Sequence, residues 1–254
     1  MKTQTITRSI AAREEKSSGL PVRSADGMKK IIALGDTHGH ETWKGIVEKE
    51  KDADKIIFIG DYFDSFYIPS KLQQENFQAI IKYKKDNPGK VILLMGNHEF
   101  HYLSEMDEAY SGYQHKEALH IEALIRPHVT DATLQMAYSI GDYLFVHAGL
   151  TSTWVKNNDI AGYPSSINDL FWKKPRAFKF SDEDKSGCGE HVSSSPIWVR
   201  PTSLKTDMFG TQTQVVGHTT FKDIQFEKNL ILIDAIRSGA YLAIIDGKPE
   251  ARYA

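Results

Sequence analysis

An α/β fold built in layers is predicted by three features of the sequence. Short runs rich in Ile, Val and Leu alternate with segments of helical period. The runs are continuously apolar, as suits strands buried on both faces. Most end in a turn residue followed by a polar side chain, and in α/β sheets ligands bind beyond the carboxyl ends of the strands.

The elements follow in chain order. "KIIALG" is the first strand, and "ETWKGIVEKEK" is a helical candidate. "KIIFIG" is the second strand. "SKLQQENFQAIIKYKKDNPG" is a helix, with Ser70 and Gln73 spaced as a capping box and "DNPG" as its stop. "VILLMG" is a third strand, and residues 103–126 are a further helical candidate. "YLFV", "TQVVG", "LILID" and "AYLAIID" complete the strands. Residues 151–213 are rich in Trp, Ser, Lys, Pro and Gly without clear period. They read as a substrate-facing insertion over the site, since long irregular segments in compact domains are often functional. Residues 1–27 lack a sustained period and read as a disordered or loosely attached tail. The compact domain is expected over residues 28–254.

Composition bounds the function. The 254 residues can bury a full core. A net charge of -2 supplies no bulk positive field, so nucleic acid and anionic membranes are disfavoured as partners. Cys188 is the single cysteine, which excludes an intramolecular disulfide and a cysteine-based zinc cluster. With no apolar stretch of bilayer length and no apolar signal core, a reducing, cytoplasmic location is expected.

The polar residues after the strands recur in a pattern. Asp36 and His38 follow the first strand. Asp61 follows the second, with Asp64 three positions on. Asn97, His98 and Glu99 follow the third, and His147 and His218 follow two later ones. One Asp or His after a strand is usually a helix cap or turn residue. Five such strand ends, mostly with an adjoining glycine that lets the backbone turn and approach closely, point instead to convergence on a metal. Carboxylate, imidazole and amide donors without thiolate favour divalent Mn, Fe, Co, Ni or Zn. Six candidate ligands are too many for one ion, and two ions sharing a carboxylate fit better. Such pairs lie about 3.5–4 Å apart in hydrolytic sites and acidify a water between them.

The order GD-x-HG, GD-x-x-D, GNHE, HAG, GH, from Gly35 to His218, resembles the calcineurin-like metallophosphoesterases. Within them it is most similar to the phosphoprotein-phosphatase branch with its bacterial and phage members. The resemblance implies a four-layer sandwich of two packed mixed β-sheets flanked by helices. It implies two divalent cations, manganese first among them. Asp36 and His38 would hold the first, Asp61 would bridge, and Asn97, His147 and His218 would hold the second. His98 would protonate the leaving oxygen, held by Asp64. A departing alkoxide needs that proton, and a neighbouring carboxylate keeps histidine charged.

Two departures matter. "GHTT" carries Thr220 where many nucleases and phosphodiesterases of the wider family have a second histidine. That leans toward phosphatases. Ser65 stands where the branch usually has a phosphate-clamping arginine, so a bidentate fork is missing there. Arg200 in "PIWVRP" and Arg237 in "DAIRSG" are the replacements expected to bind substrate. The resemblance therefore implies hydrolysis of a phosphate monoester, in protein or small molecule, by a metal-bridging hydroxide. Hydrolysis of nucleotides or dinucleoside polyphosphates, a phosphodiesterase, and a non-catalytic scaffold are the alternatives. The last is disfavoured because every ligand candidate, His98 and Asp64 are present.

The remaining histidines, His40, His101, His115, His120 and His128, are expected in loops, in solvent or in packing. Cys188 and His191 lack companions for a zinc site. Glu99 is expected to orient backbone rather than bind metal. Tyr62, Phe63, Phe66 and Tyr67 are expected to divide between core and pocket wall.

Overall fold

The structure, a computed structural model, describes residues 29–181 and 183–254. The tail expected over residues 1–27, with Met28, lies outside the described residues.

The chain opens with β1 (Lys30–Leu34), α1 (Thr42–Lys49), β2 (Lys55–Phe58), α2 (Ser70–Asp86), β3 (Val91–Leu94), the one-turn α3 (Asn97–Phe100) and α4 (Ala118–Thr130). It continues through β4 (Leu134–Gln135), β5 (Ala137–Ile140), β6 (Tyr143–Val146), α5 (Ser152–Asn157), α6 (Pro164–Lys173) and α7 (Pro201–Asp207). It closes with β7 (Thr213–Val216), β8 (Gln225–Glu227), β9 (Leu230–Leu232), β10 (Ala240–Ile245) and β11 (Lys248–Tyr253). One sheet has six strands in the order β11-β10-β1-β2-β3-β4 and the other has five in the order β5-β6-β7-β9-β8. β1 to β4 run parallel, and β10 pairs antiparallel with β1. β6, β7 and β9 run parallel between antiparallel β5 and β8. Both sheets are therefore mixed.

The period of two in each strand assigns the layers. Ile31 and Ala33 of β1 share a core with Ile57, Phe145, Val215 and Ile231, which fills the space between the sheets. Ile32 and Leu34 belong instead with Trp43 of α1 and Phe77 and Ile80 of α2 on the outer face. Beyond the second sheet, Leu144 and Val146 pack with Trp154 and Ile167 of α5 and α6. Val216, Leu230 and Leu232 pack with Leu204 of α7. The result is the four-layer sandwich, with strands apolar on both faces because both faces are covered. Each fully buried Leu, Ile or Phe contributes roughly 1.5–3 kcal/mol over an exposed one.

Two local expectations fail. Ser70 is the first helical residue of α2, behind Pro69, and makes no capping bond. Gln73 turns away from the helix terminus. It receives Ser65 N–H at 3.2 Å on Oε1 and donates to the carbonyl of Ile68 at 2.6 Å, bracing the 65–68 loop. Residues 103–126 are not one helix. A single 3-10 turn covers Ser104–Met106, and α4 begins only at Ala118. Asp107 and Gly112 adopt left-handed φ of 54° and 88°, which ends helical geometry. Tyr110 and Tyr113 instead pack on the His101 ring at centroid distances of 5.2 and 4.8 Å.

Between β6 and β7, residues 147–212 form α5, α6, α7 and irregular chain. This stretch supplies Phe180, Cys188, Trp198 and Arg200 to the wall of a cleft of about 720 Å³.

Candidate functional site

The carboxyl ends of parallel strands from both sheets meet at one place. Asp36 follows β1, Asp61 follows β2 and Asn97 opens α3 just beyond β3. His147 directly follows β6 and His218 follows β7. Hydrogen bonds stitch the two rims together. His147 Nδ1 donates to the Ile59 carbonyl at 2.9 Å, and His218 N–H donates to Asp36 Oδ2 at 2.8 Å.

The glycines that precede these residues act through space. A Cβ on Gly96 would overlap Asp61 Oδ1, and one on Gly217 would overlap Asp36 Oδ1. His38, Asp61, Asp64 and His218 all hold left-handed φ, at 41°, 54°, 68° and 62°. Each such residue costs of order 1–3 kcal/mol and survives where the surroundings over-determine it.

Asp36, His38 and Asp61 form one cluster of metal-capable groups, and Asp61, His147 and His218 form a second, with ligand atoms within 4.8 Å of one another. Asp61 belongs to both. Asn97 Oδ1 sits 3.1 Å from His147 Nε2 and 3.0 Å from His218 Nδ1. The Nδ1 protons are fixed by carbonyls, which can only accept. His38 Nδ1 donates to Phe63 O at 2.5 Å and His147 Nδ1 to Ile59 O, so Nε2 is the nitrogen each ring can offer to a cation. Asp36 Oδ1, His218 Nε2 and Asp234 Oδ1 are buried without a hydrogen-bond partner. Unsatisfied acceptors converging with carboxylates, imidazoles and an amide make a donor set suited to divalent cations.

The electrostatics point the same way. Burial, then the charges of Asp234 and Asp61, push the Asp36 carboxyl well above its usual range. Burial followed by Asp61 raises Glu99 to about 7. Asp61 lies well below its usual range. Burial opposes this, but the neighbouring His147 and His98 outweigh it. Buried carboxylates this close repel unless positive charge sits between them.

Glu99 stays out of the donor set, as its expected role requires. Its oxygens accept the N–H groups of Gly96 and Asp61 at 2.9 Å and of Tyr62 at 2.6 Å, locking two motifs together. His98 lies beside the clusters, and its Nδ1 is 2.7 Å from Asp64 Oδ2. Burial pulls His98 down, but Asp61 and the bond to Asp64 outweigh it and raise it to about 9.

The arginines expected to clamp phosphate, Arg200 and Arg237, fall on the cleft wall. Ser65 Oγ accepts the N–H groups of Tyr67 and Ile68, both at 3.2 Å, so it turns the loop at the position where the resemblance leads one to expect an arginine. Arg200 lines the cleft and is anchored by its Nε on Cys188 O and its Nη1 on His218 O, both at 2.9 Å. Arg237 also lines the cleft, 5.7 Å over the Tyr67 ring. Tyr62 and Phe63 are fully buried, while Phe66 and Tyr67 stand 73% and 79% exposed at the mouth. Thr220, in place of a histidine, donates to Asp234 Oδ2 at 2.6 Å.

Four residues escaped sequence reasoning. Asp234, which ends "LILID" on the same rim, is buried against the first cluster; its place after a strand was the available signal. His101, expected in packing or solvent, is buried with Nε2 2.7 Å from Asp64 Oδ2. Tyr102 donates its hydroxyl to Asp64 Oδ1, and Gln114 Nε2 donates to the same oxygen at 3.1 Å. Nothing local in the sequence marks these three. Cys188 and His191 join no metal-capable cluster among the described residues.

The sequence matches the profile of the calcineurin-like phosphoesterases over residues 29–221. The chain belongs to the calcineurin-like phosphoesterase family. Family chemistry is the metal-dependent hydrolysis of phosphoric esters. One curated relative is a probable serine/threonine-protein phosphatase of Encephalitozoon cuniculi, 26% identical over 173 residues, or 63% of this chain. The chain spans only 37% of that relative's length. Among solved structures, a cold-active protein-tyrosine phosphatase of a psychrophilic Shewanella superposes with a TM-score of 0.63 at 21% identity. That match covers 89% of this chain and 78% of the other. A further structure described as a cold-active protein tyrosine phosphatase gives 0.60 at the same identity, covering 89% and 79%. At this identity the likeness shows the fold alone, two mixed sheets with flanking helices. No helix among the described residues is long and apolar enough to cross a membrane.

Proposed function

We propose that this phosphoesterase hydrolyses phosphate monoesters with two divalent cations, manganese first among the candidates. The observation that carries the reading is that Asp61 belongs to both ligand clusters. Asp36 and His38 complete one site with Asp61, and Asn97, His147 and His218 complete the other. When bound, the cations supply Lewis acidity, charge neutralisation and an acidified water.

The protein's own groups do the rest. Asp64 holds Nδ1 of His98, which leaves Nε2 free on the cleft wall to give its proton to the leaving oxygen. That proton removes the cost of expelling an alkoxide, an effect worth on the order of 10²–10⁴ in rate. Arg200 is held by two backbone carbonyls and so presents its charge at a fixed place on the rim. It stands in for the arginine missing at Ser65, with Arg237, also on the cleft wall, as a second anion contact. Phosphoserine or phosphothreonine in protein, or a small phosphate ester, is the substrate class proposed. The description of the E. cuniculi relative as a probable serine/threonine-protein phosphatase favours the first.

The test is metal analysis of the purified protein, then a substrate panel with added manganese. The panel comprises p-nitrophenyl phosphate, its bis-ester, a phosphopeptide and a dinucleoside polyphosphate. Turnover of the first and third with two metals per chain is expected. Preference for the bis-ester or the polyphosphate would overturn the monoester reading.

A further inference from the structure

The buried carboxylate of Asp64 has more partners than a simple acid dyad requires. Its Oδ2 is 2.7 Å from His98 Nδ1 and also 2.7 Å from His101 Nε2. Its Oδ1 accepts from the Tyr102 hydroxyl and from Gln114 Nε2. Asp64 itself holds a left-handed φ of 68°, a strained backbone that persists where its surroundings over-determine it.

His101 is built to give that support. Its Nδ1 accepts the N–H of Tyr110 at 3.2 Å, which places the proton of the neutral ring on Nε2, the nitrogen in close contact with Asp64 Oδ2 at 2.7 Å though not aligned as a hydrogen bond. The ring is wedged among aromatics. Tyr110 stacks on it at 5.2 Å, and Tyr102 and Tyr113 meet it edge-on at 4.5 and 4.8 Å. Tyr110 in turn packs on Trp198 of the cleft wall at 4.3 Å. A side chain with no solvent exposure and an imposed tautomer has a single orientation.

Asp64, His98 and His101 are also close enough to ring a cation. The 2.7 Å N···O separations argue otherwise, because atoms in such direct contact leave no room for an ion between them.

We propose that His101 is a positioning residue for phosphoester cleavage: it shares the Asp64 carboxylate with His98 and thereby aims the proton-donating imidazole at the leaving oxygen. The inference rests on the monoesterase reading above. Its signature follows from the chemistry. An alkyl leaving group needs the proton, whereas p-nitrophenolate departs without it. A misaimed His98 therefore slows alkyl esters selectively, and a small displacement of a catalytic group costs up to about 10²-fold.

Two isosteric variants separate donor loss from general damage. In His101→Asn the amide oxygen can still accept from Tyr110 N–H, but no donor reaches Asp64. In His101→Gln an amide N–H reaches the position of Nε2. The readouts are kcat and KM for a phosphoserine peptide and for p-nitrophenyl phosphate, with metal content and Tm. His101→Asn should lower kcat for the peptide about 10- to 100-fold and for p-nitrophenyl phosphate less than about threefold, at unchanged KM and metal content. His101→Gln should recover most of the peptide rate. Equal loss on both substrates, or equal loss in both variants whether in turnover or in folding, overturns the proposal, as does no loss in either. If the wild-type chain turns over neither substrate, the monoesterase reading has failed rather than the role of His101.

Discussion

The backbone N–H of His218 donates to Asp36 Oδ2 at 2.8 Å, joining residues 182 positions apart. The bond fixes one oxygen of Asp36 and leaves Oδ1 buried and unpartnered, facing the Cα of Gly217. The last motif thus shapes the first. A methyl group at residue 217 must displace that oxygen, since it would occupy the same space. Gly217→Ala is expected to weaken manganese binding at least about tenfold, or about 1.4 kcal/mol, with the far-UV spectrum preserved. Calorimetric titration reads this directly, and an unchanged affinity would remove Asp36 from the metal site.

Asp61 differs from the other candidate ligands because it serves two clusters. Asp61→Asn should therefore abolish both metals, whereas His218→Ala should cost only one. Elemental analysis after gel filtration in a metal-buffered solution gives the stoichiometry. One metal lost in Asp61→Asn would show that Asp61 does not bridge.

His98 touches the Asp64 carboxylate but lies in neither cluster that contains Asp61. His98→Ala is expected to lower kcat on an alkyl phosphate by about 10²–10⁴-fold with both metals retained. The loss should shrink as the leaving group becomes more acidic. A loss independent of leaving group, measured across a series of aryl and alkyl esters, would reassign His98 to binding.

Much of this was legible in the sequence because strand ends and metal donors carry local signals. Asp36, Asp61, His147 and His218 each sit beside a glycine or a strand terminus, and Gly96 and Gly217 turned out to be dictated by oxygens of distant residues. The division into two sheets came from resemblance, not period, since "KIIFIG" and "YLFV", one in each sheet, are both buried along their whole length. His101 was illegible for a physical reason. Its partner Asp64 lies on a different loop, and its own surroundings carry a helix-like period that Asp107 and Gly112 interrupt. The segment from 151 to 213 shows no period because its helices are short and its turns are tied by side chains. Asp184, for example, accepts from Ser186 N–H at 2.9 Å and also from Gly189 N–H.

A last prediction concerns stability rather than catalysis. Glu50, at the end of α1, is 2% exposed and ties the helix to β1, β10 and β11. It receives Lys30 at 2.5 Å, the Tyr241 hydroxyl at 2.6 Å and Arg252 Nη1 at 3.0 Å. Burial alone would raise its carboxyl, but these three bonds outweigh burial and hold it below the usual value. A carboxyl depressed in the folded state stabilises most above its unfolded pKa, about 4.3. That contribution fades as pH falls toward the folded value and is gone below it. Glu50→Gln should therefore cost about 1–3 kcal/mol near neutral pH. The gap between the two proteins should narrow steadily once the pH drops below about 4.3. Urea melts of both proteins at several pH values check the sign, and a gap that widens toward acid would mean that Glu50 is buried as the neutral acid.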